Sequence, residues 1–295
     1  MKTNNQRRLS SLTIFVIGYI LVTVISSLGV RWIVPPQLEV HFINVTQNTD
    51  IGDSILLRSS EGKVMLIDGG SQGTGALDYL LGQNVTYIDT VVLTHAHEDH
   101  YGGLIEILSA IPVGQLVTNG ETSNEPLSSE FQQAVEKSGV KMAQVKTGDQ
   151  LPFGRLTFNV LSPQKINPNS INNNSIVLRL AVGQVDFLFV GDIMELQENW
   201  LLATGAPVKA DILKVAHHAI GTSSKGPFIL KVKPEVAIYS VNAVNPYGAP
   251  DGKVLENLKA VGAEVYGTEN YGTIKVLTDG RTYRIETEKV PVDEQ

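Results

Sequence analysis

Three imidazoles and two carboxylates fall within the six residues His95-Ala96-His97-Glu98-Asp99-His100, and no other stretch limits so tightly what this chain can fold into. Ahead of it Val91-Val92-Leu93 reads as a short buried strand. Behind it Gly102-Gly103-Leu104, with Ile105, Leu108 and Ile111, reads as the opening of an amphipathic helix. The run is therefore predicted to be a strand-to-helix loop. Side chains of extended backbone repeat every two residues, so His95 and His97 project together, while Asp99 and His100 enter the turn and address a second, nearby position. Two adjacent metal ions are the natural occupants.

The rest of the composition narrows the chemistry. The chain has no cysteine, which excludes a disulfide framework, a thiolate metal site and a cysteine nucleophile, so ligands must be histidines and carboxylates. A formal net charge of -7 argues against a broad basic face for nucleic acid. With 295 residues, 42% of them hydrophobic, and no low-complexity segment, one catalytic domain is the expectation.

The amino terminus reads as a separate unit. Lys2, Arg7 and Arg8 precede an uncharged stretch over residues 9–30, which stops at Arg31 and is followed by Pro35-Pro36. Such a run is long enough to span a bilayer, and the charges ahead of it predict a cytoplasmic amino terminus with the catalytic domain outside. Small residues at Ser27 and Gly29 permit cleavage as a signal peptide; the length of the run favours a retained anchor. The division expected is residues 1–37 as cytoplasmic terminus, membrane anchor or signal segment and linker, and residues 38–295 as the catalytic domain. That places the protein at the cell membrane, partnered with the bilayer through its amino-terminal helix, or outside the cell if the segment is cleaved.

From residue 38 onward short strands dominate. Residues 38–45, 54–58 and 64–67 are apolar or alternating runs separated by turn residues, which predicts an antiparallel meander. Helical patterns over 77–81, 104–110 and 128–138 alternate with strands over 113–117 and 140–145. The second half continues in the same manner, with strands over 156–161, 175–181, 185–190, 212–215, 236–240, 264–266 and 273–277 and helices over 195–202 and 254–261. Sheets covered by helices are implied.

Of six histidines, five lie in two clusters, each after an apolar strand. His217-His218 follows residues 212–215, and paired imidazoles at a strand exit suit metal binding. Asp192, after Phe187-Leu188-Phe189-Val190-Gly191, is placed to bridge two metals, the alternative being a Gly-Asp turn. Asp68 of Asp68-Gly69-Gly70 closes a strand; a partner for a ligating imidazole and a turn aspartate are both open readings. His41, alone in a strand, reads as structural. Asp53, Asp149 and Asp279 sit in Gly-Asp or Asp-Gly pairs, and the turn reading is preferred for Asp149 and Asp279.

His95, His97, Asp99 and His100 match in full the HxHxDH signature, and on it the chain resembles the metallo-β-lactamase superfamily. Residues 45–57, 66–70, Asn172-Asn173-Asn174-Ser175, residues 187–192, 213–218 and Asn245-Pro246-Tyr247-Gly248 resemble more narrowly the ComEC-type competence hydrolase domain and its stand-alone relatives, over about residues 38–279. The resemblance implies an α/β (α+β) chain folded as an αββα sandwich with metals at one edge. It implies that His95 and His97 hold the first metal, that Asp99, His100 and His218 hold the second, that Asp192 bridges them, and that His217 is free to contact substrate. The cofactors implied are two divalent ions, zinc or, as the alternative, manganese.

The chain departs from that pattern in four places, one of them the loop from Thr46 through Asp53, which is longer than the subgroup's tight Gly-Gln-Gly-Asp loop. The third histidine usual at the first metal is replaced within Asn172 to Asn174, with Asn174 a candidate; amide oxygen suits harder cations, which is the case for manganese. Ala219 stands where the subgroup has glycine after the histidine pair, and Ala249 where it has histidine. The reaction implied is hydrolysis by a metal-bound hydroxide, with Asp99 orienting the nucleophile and His217 donating to the oxyanion or leaving group. The ComEC-like motifs favour a phosphodiester substrate, in nucleic acid or a cell-wall polymer. A lactam- or lactone-type hydrolase and a weakened metal-binding or interaction module are the alternatives.

Overall fold

A computed structural model of the chain describes residues 36–45 and 51–291, and its main compact unit begins at Pro36. The apolar stretch over residues 9–30 lies outside the described residues; among those described, no helix is long and apolar enough to cross a membrane.

The strands are β1 Leu38–Phe42, β2 Ile55–Ser59, β3 Val64–Ile67, β4 Ile88–Val92, β5 Val113–Thr118, β6 Lys141–Gln144, β7 Gln150–Phe153, β8 Leu156–Ser162, β9 Val177–Val182, β10 Val185–Phe189, β11 Ile212–Lys214, β12 Val236–Tyr239, β13 Glu264–Gly267, β14 Ile274–Thr278 and β15 Tyr283–Thr287. The helices are α1 Ala76–Gly82, α2 Glu98–Ala110, α3 Ser128–Ser138, α4 Glu195–Ala203, α5 Gly226–Val232, α6 Gly252–Ala260 and α7 Thr268–Tyr271. Two 3-10 turns cover Asn172–Asn174 and Ala216–Ala219.

The strands form two sheets, in the orders β15-β14-β1-β2-β3-β4-β5-β6 and β13-β12-β11-β10-β9-β8-β7. Each sheet has an antiparallel part built of hairpins and a parallel part. β3, β4, β5 and β6 run parallel, as do β10, β11, β12 and β13. Parallel neighbours need a crossover, and α1 to α3 supply it in the first sheet as α4 to α6 do in the second.

Period-two alternation fixes the layers. Val40, Phe42, Leu57 and Met65 of the first sheet meet Phe158, Leu180, Phe187 and Phe189 of the second in one buried cluster between the sheets. The opposite faces of the same strands carry Leu56 and Leu66 under α1 to α3, and Leu188 and Leu213 under α4 to α6. The result is the αββα sandwich.

Some elements escaped the sequence patterns. α2 begins at Glu98, not at residue 104, so Asp99 and His100 lie in its first turn and not in a loop. β7 carries Pro152 and survives because it is an edge strand, where a missing N–H breaks no ladder. α5 opens on Gly226-Pro227, which reads as a turn but places proline at a helix start, where its fixed φ is favourable.

Candidate metal centre

The histidine ligands predicted, with Asp68 and Asp192, sit beyond the carboxyl end of a parallel strand: Asp68 after β3, His95 to His100 after β4, Asp192 after β10 and His217-His218 after β11. Open α/β sheets bind ligands at this end of their strands. α2 approaches the end of β3 closely. A Cβ on Gly103 would stand 2.1 Å from the Gly69 carbonyl oxygen, so only glycine permits the contact. Gly69 N–H donates to His100 O at 2.7 Å and Gly103 N–H to Gly70 O at 2.8 Å, which ties the first turn of α2 to the Asp68 loop.

Asp68 is buried and both its oxygens are engaged. Oδ1 accepts from Thr94 N at 2.7 Å; Oδ2 accepts the Thr94 hydroxyl at 2.7 Å and His100 Nδ1–H at 2.8 Å. Because that hydroxyl has given its proton to Asp68, Thr94 Oγ1 accepts from His95 Nδ1–H at 3.1 Å. One carboxylate thus sets the tautomer of two imidazoles and leaves Nε2 of each available. His218 is set in the same way from the other sheet, donating Nδ1–H to Ser240 O at 2.9 Å.

The turn that carries the second histidine pair is conformationally costly. His217, His218 and Ala219 have φ of 51°, 54° and 62°, three successive left-handed residues with side chains, each disfavoured by about 1–2 kcal/mol. The turn is held by His217 N–H to Gly191 O at 3.2 Å, Ile220 N–H to His217 O at 2.8 Å and Asp251 N–H to Ala219 O at 2.9 Å. It turns both imidazoles towards Asp192, whose own N–H donates to Ser175 Oγ at 3.0 Å.

Asp192 Oδ2 is the common point. It lies 3.3 Å from His100 Nε2, 3.4 Å from His218 Nε2, 3.9 Å from His95 Nε2 and 4.0 Å from His217 Nε2. Asp99 Oδ2 lies 3.3 Å from His218 Nε2 and 3.7 Å from His100 Nε2. A tetrahedral ion with bonds of about 2.1 Å has ligand-to-ligand edges of roughly 3.4 Å, so Asp99, His100, His218 and Asp192 already stand at ligand spacing. His95 Nε2 and His97 Nδ1, 3.0 Å apart, face one another beside the same Asp192 oxygen.

The burial supports the same fit. Asp192 Oδ1 and His218 Nε2 are buried without a hydrogen-bond partner, a cost of about 1–3 kcal/mol each that a cation would remove. Burial opposes ionisation of Asp192, but His218 and His100 outweigh it and hold the carboxyl well below the usual range. Burial would likewise lower His218, but Asp192 and Asp53 outweigh it and push it up to about 10. A site so rich in carboxylate draws positive charge, and divalent metals suit its donor set.

His97, Asp99, Asp192 and His217 line a cavity of about 410 Å3 together with Glu98, Glu125 and Tyr247, among others; no lysine or arginine is in its wall among the described residues. Burial holds His217 below the usual imidazole range. Its Nε2 accepts from Asn172 Nδ2 at 3.3 Å, which leaves Nδ1–H to donate to Thr222 Oγ1 at 2.9 Å.

His95, His97, Asp99, His100, Asp192, His217 and His218 are therefore brought together, with Asp68 directly behind. Of the three asparagines, Asn172 lines the cavity. Asn174 does not: its oxygen accepts from Asn167 N at 2.7 Å, and its nitrogen donates to Glu121 Oε1 at 2.7 Å and Asn167 O at 2.9 Å. Asp53 joins His100, Asp192 and His218 in a buried group whose donor atoms lie within 4.8 Å of one another. Its Gly-Asp context resembles an ordinary turn, and only its place before an apolar strand could have marked it.

The model of the metallo-beta-lactamase superfamily matches residues 48–243. ComE operon protein 3 of Bacillus subtilis is 31% identical over 289 residues, covering 92% of this chain and 36% of that protein. Competence protein ComA of Neisseria gonorrhoeae is 27% identical over 228 residues, covering 76% of this chain and 30% of that protein. The chain spans about a third of the length of these curated relatives. Among solved structures, the metallo-beta-lactamase fold protein YhfI from Bacillus subtilis matches with a TM-score of 0.52 at 18% identity, over 78% of this chain and 96% of that one, a likeness of fold.

Proposed function

The chain belongs to the metallo-beta-lactamase superfamily and has ComEC-type homologues, and from that premise we propose that it is a phosphodiesterase working with two divalent cations. The observation that carries this reading is the position of Asp192 Oδ2, within 3.3 to 4.0 Å of a ring nitrogen of His95, His100, His217 and His218. A single oxygen shared between two imidazole sets is the arrangement that a two-metal hydrolase requires. His95 and His97 would hold one cation, Asp99, His100 and His218 the other. When bound, divalent cations supply the Lewis acidity that hydrolysis needs and a counter-charge for phosphate, which the cavity wall lacks.

The protein groups do the rest. Asp99, whose side chain is 25% exposed, borders the cavity and would hold the attacking water by a hydrogen bond. His217, kept neutral by burial, would accept a proton at Nε2 and return it to the leaving oxygen, while Thr222 fixes its ring. The ComEC-like motifs support a phosphodiester over a lactam or lactone. The apolar run over residues 9–30 behind Lys2, Arg7 and Arg8 supports a membrane-tethered or exported domain, with a nucleic acid or a wall polymer as substrate.

The test is turnover of bis-p-nitrophenyl phosphate and of a chromogenic lactam by the metal-loaded full chain, before and after chelation. Chelator-sensitive cleavage of the phosphodiester alone supports the proposal. Cleavage of the lactam alone refutes the substrate class, and metal binding without turnover of either refutes catalysis. Protease added to intact spheroplasts tests location: a protein protected there but digested after lysis has the opposite topology.

A further inference from the structure

Behind the His218 imidazole lies a buried ion pair that the reaction does not use. Lys214 Nζ stands 2.6 Å from Asp53 Oδ2 and donates to Val215 O at 2.9 Å, and the two side chains are 1% and 2% exposed. Lys214 ends β11 in the second sheet, whereas Asp53 precedes β2 in the first. The alternation that points Ile212 into the apolar layer between the sheets, and Leu213 towards the helices, points Lys214 into that layer as well. A hydrocarbon side chain is the default there. Desolvating two charges often costs as much as their attraction returns, so an apolar pair of similar volume would hold the sheets together at least as well.

What the ion pair adds is a fixed position. The metal centre is assembled from both halves of the chain, and its ligands meet across the gap: Asp99 Oδ2 of the first half lies 3.3 Å from His218 Nε2 of the second. Asp53 is bonded to the first half through its backbone, its N–H donating to Asp99 O at 3.3 Å and its carbonyl accepting from Gly70 N at 2.7 Å. Lys214 is bonded to the second, because its ammonium also holds the carbonyl of Val215, the residue from which the left-handed turn of His217 and His218 departs. The Asp53 carboxylate lies on the Nδ1 side of His218, with Oδ1 3.7 Å from that nitrogen, and not on the Nε2 side that faces Asp99 and Asp192. It therefore stands behind the ligand and not among the ligands. On the His95 side of the centre the halves are joined by a backbone bond, Ile176 N–H to Thr94 O at 2.9 Å; on the His218 side this link is made by charged side chains.

We propose that the Lys214–Asp53 ion pair is a positioning clamp that sets the spacing between Asp99 and His218, and with it the cation position they share. The proposal rests on the metal-dependent reading above. Both residues act through the ligands they hold. Apolar contact is non-directional, so a hydrocarbon pair would keep the sheets packed but let the two ligands drift, whereas the ammonium requires Asp53 Oδ2 and Val215 O at bonding distance together.

The test is the double variant Asp53→Leu with Lys214→Met, which removes one charge of each sign and leaves the net charge of the centre unchanged. Three measurements are made on the full chain: urea unfolding without metal, Mn(II) titration by calorimetry, and the visible spectrum after Co(II) loading. The urea midpoint is expected to hold or rise. Mn(II) should bind about 10- to 100-fold more weakly at one position, and the Co(II) bands should shift as the ligand geometry changes. Wild-type Mn(II) affinity or an unchanged Co(II) spectrum in the folded variant overturns the clamp, whatever the urea midpoint does. If the apolar pair does not fold, Asp53→Asn with Lys214→Gln also removes no net charge and is read by the same two measurements. A wild-type chain that binds neither Mn(II) nor Co(II) overturns the metal reading, and the clamp with it, at the first titration.

Discussion

Asp68 Oδ2 accepts the Nδ1–H of His100 at 2.8 Å, and neither side chain is more than 1% exposed. The same oxygen takes the hydroxyl of Thr94, which in turn accepts from His95. The orientations of His95 and His100 therefore both depend on one carboxylate lying behind them.

Asp68→Asn should for that reason weaken metal binding by about 10- to 100-fold without removing any direct ligand. An amide keeps the shape, but its nitrogen only donates, so it must face either the Thr94 N–H or the Thr94 hydroxyl and His100 Nδ1–H without accepting from them. Mn(II) or Zn(II) titration of the metal-free variant measures the loss, and wild-type affinity would dismiss the orienting role.

Asp192→Asn removes the negative charge from the shared oxygen. Metal stoichiometry should fall, and hydrolysis of a chromogenic phosphodiester should drop by at least roughly a hundredfold, with circular dichroism unchanged. Asp149→Asn is the control, because Asp149 Oδ2 only accepts from Lys146 N at 2.9 Å in a turn. Equal losses in the two variants would point to misfolding.

Acid should destabilise the fold through His41. Its ring is buried beneath α1, with Nδ1 2.9 Å from the Tyr79 hydroxyl, and burial, helped by Lys275 and Arg58, lowers its pKa to about 3. The folded value is depressed, so the contribution is complete above the unfolded value of about 6.5 and is lost as pH falls towards 3. At pH 5 the loss relative to pH 7 is about 2 kcal/mol. Urea unfolding at the two pH values should show this in the wild type and a smaller loss in His41→Gln.

Glu198 works in the opposite direction. It is 1% exposed and accepts from the backbone N–H groups of Ser224 and Lys225, yet burial outweighs these bonds and raises its pKa to about 7. The folded value is raised, so the proton favours the folded state, and stability falls as pH climbs from about 4.5 through 7. Between pH 5 and pH 8 the decline is about 2–3 kcal/mol. Glu198→Gln should flatten that slope, and an unchanged slope would exclude Glu198 as its source.

The ligand run was legible because its chemistry is local: His95, His97, Asp99 and His100 are close in sequence, and the strand before them and the helix after them have strong periodicity. The start of α2 was not, because Gly102-Gly103 reads as a helix opening, whereas inside the helix Gly103 serves the contact with Gly69 and Gly102 the contact with Ser71 and Gln72. Asp149 and Asp279 are turn residues, as their neighbours suggest; Asp279 Oδ1 accepts from Arg281 N and Thr282 N. Asp53 has the same local signature and a different environment, set by Lys214 and His218 from the far half of the chain. Which asparagine faces the cavity depends on the phase of a 3-10 turn, Asn172–Asn174, and residue type does not encode it.

The parallel parts of the two sheets divide labour in matching ways. The first two strands of each, β3 and β4 or β10 and β11, end in Asp68, His95 to His100, Asp192 and His217-His218. The third strand of each, β5 or β12, ends in a long excursion that reaches the cavity without carrying any of those groups: Glu125 comes from one, Pro246 and Tyr247 from the other. Part of the cavity wall is therefore carried on loops separate from those that bear the candidate ligands. On the reading proposed above, changes in residues 119–127 or 241–250 would alter the cavity wall without replacing any of the candidate ligands, so a scaffold of this kind could acquire new substrates one loop at a time.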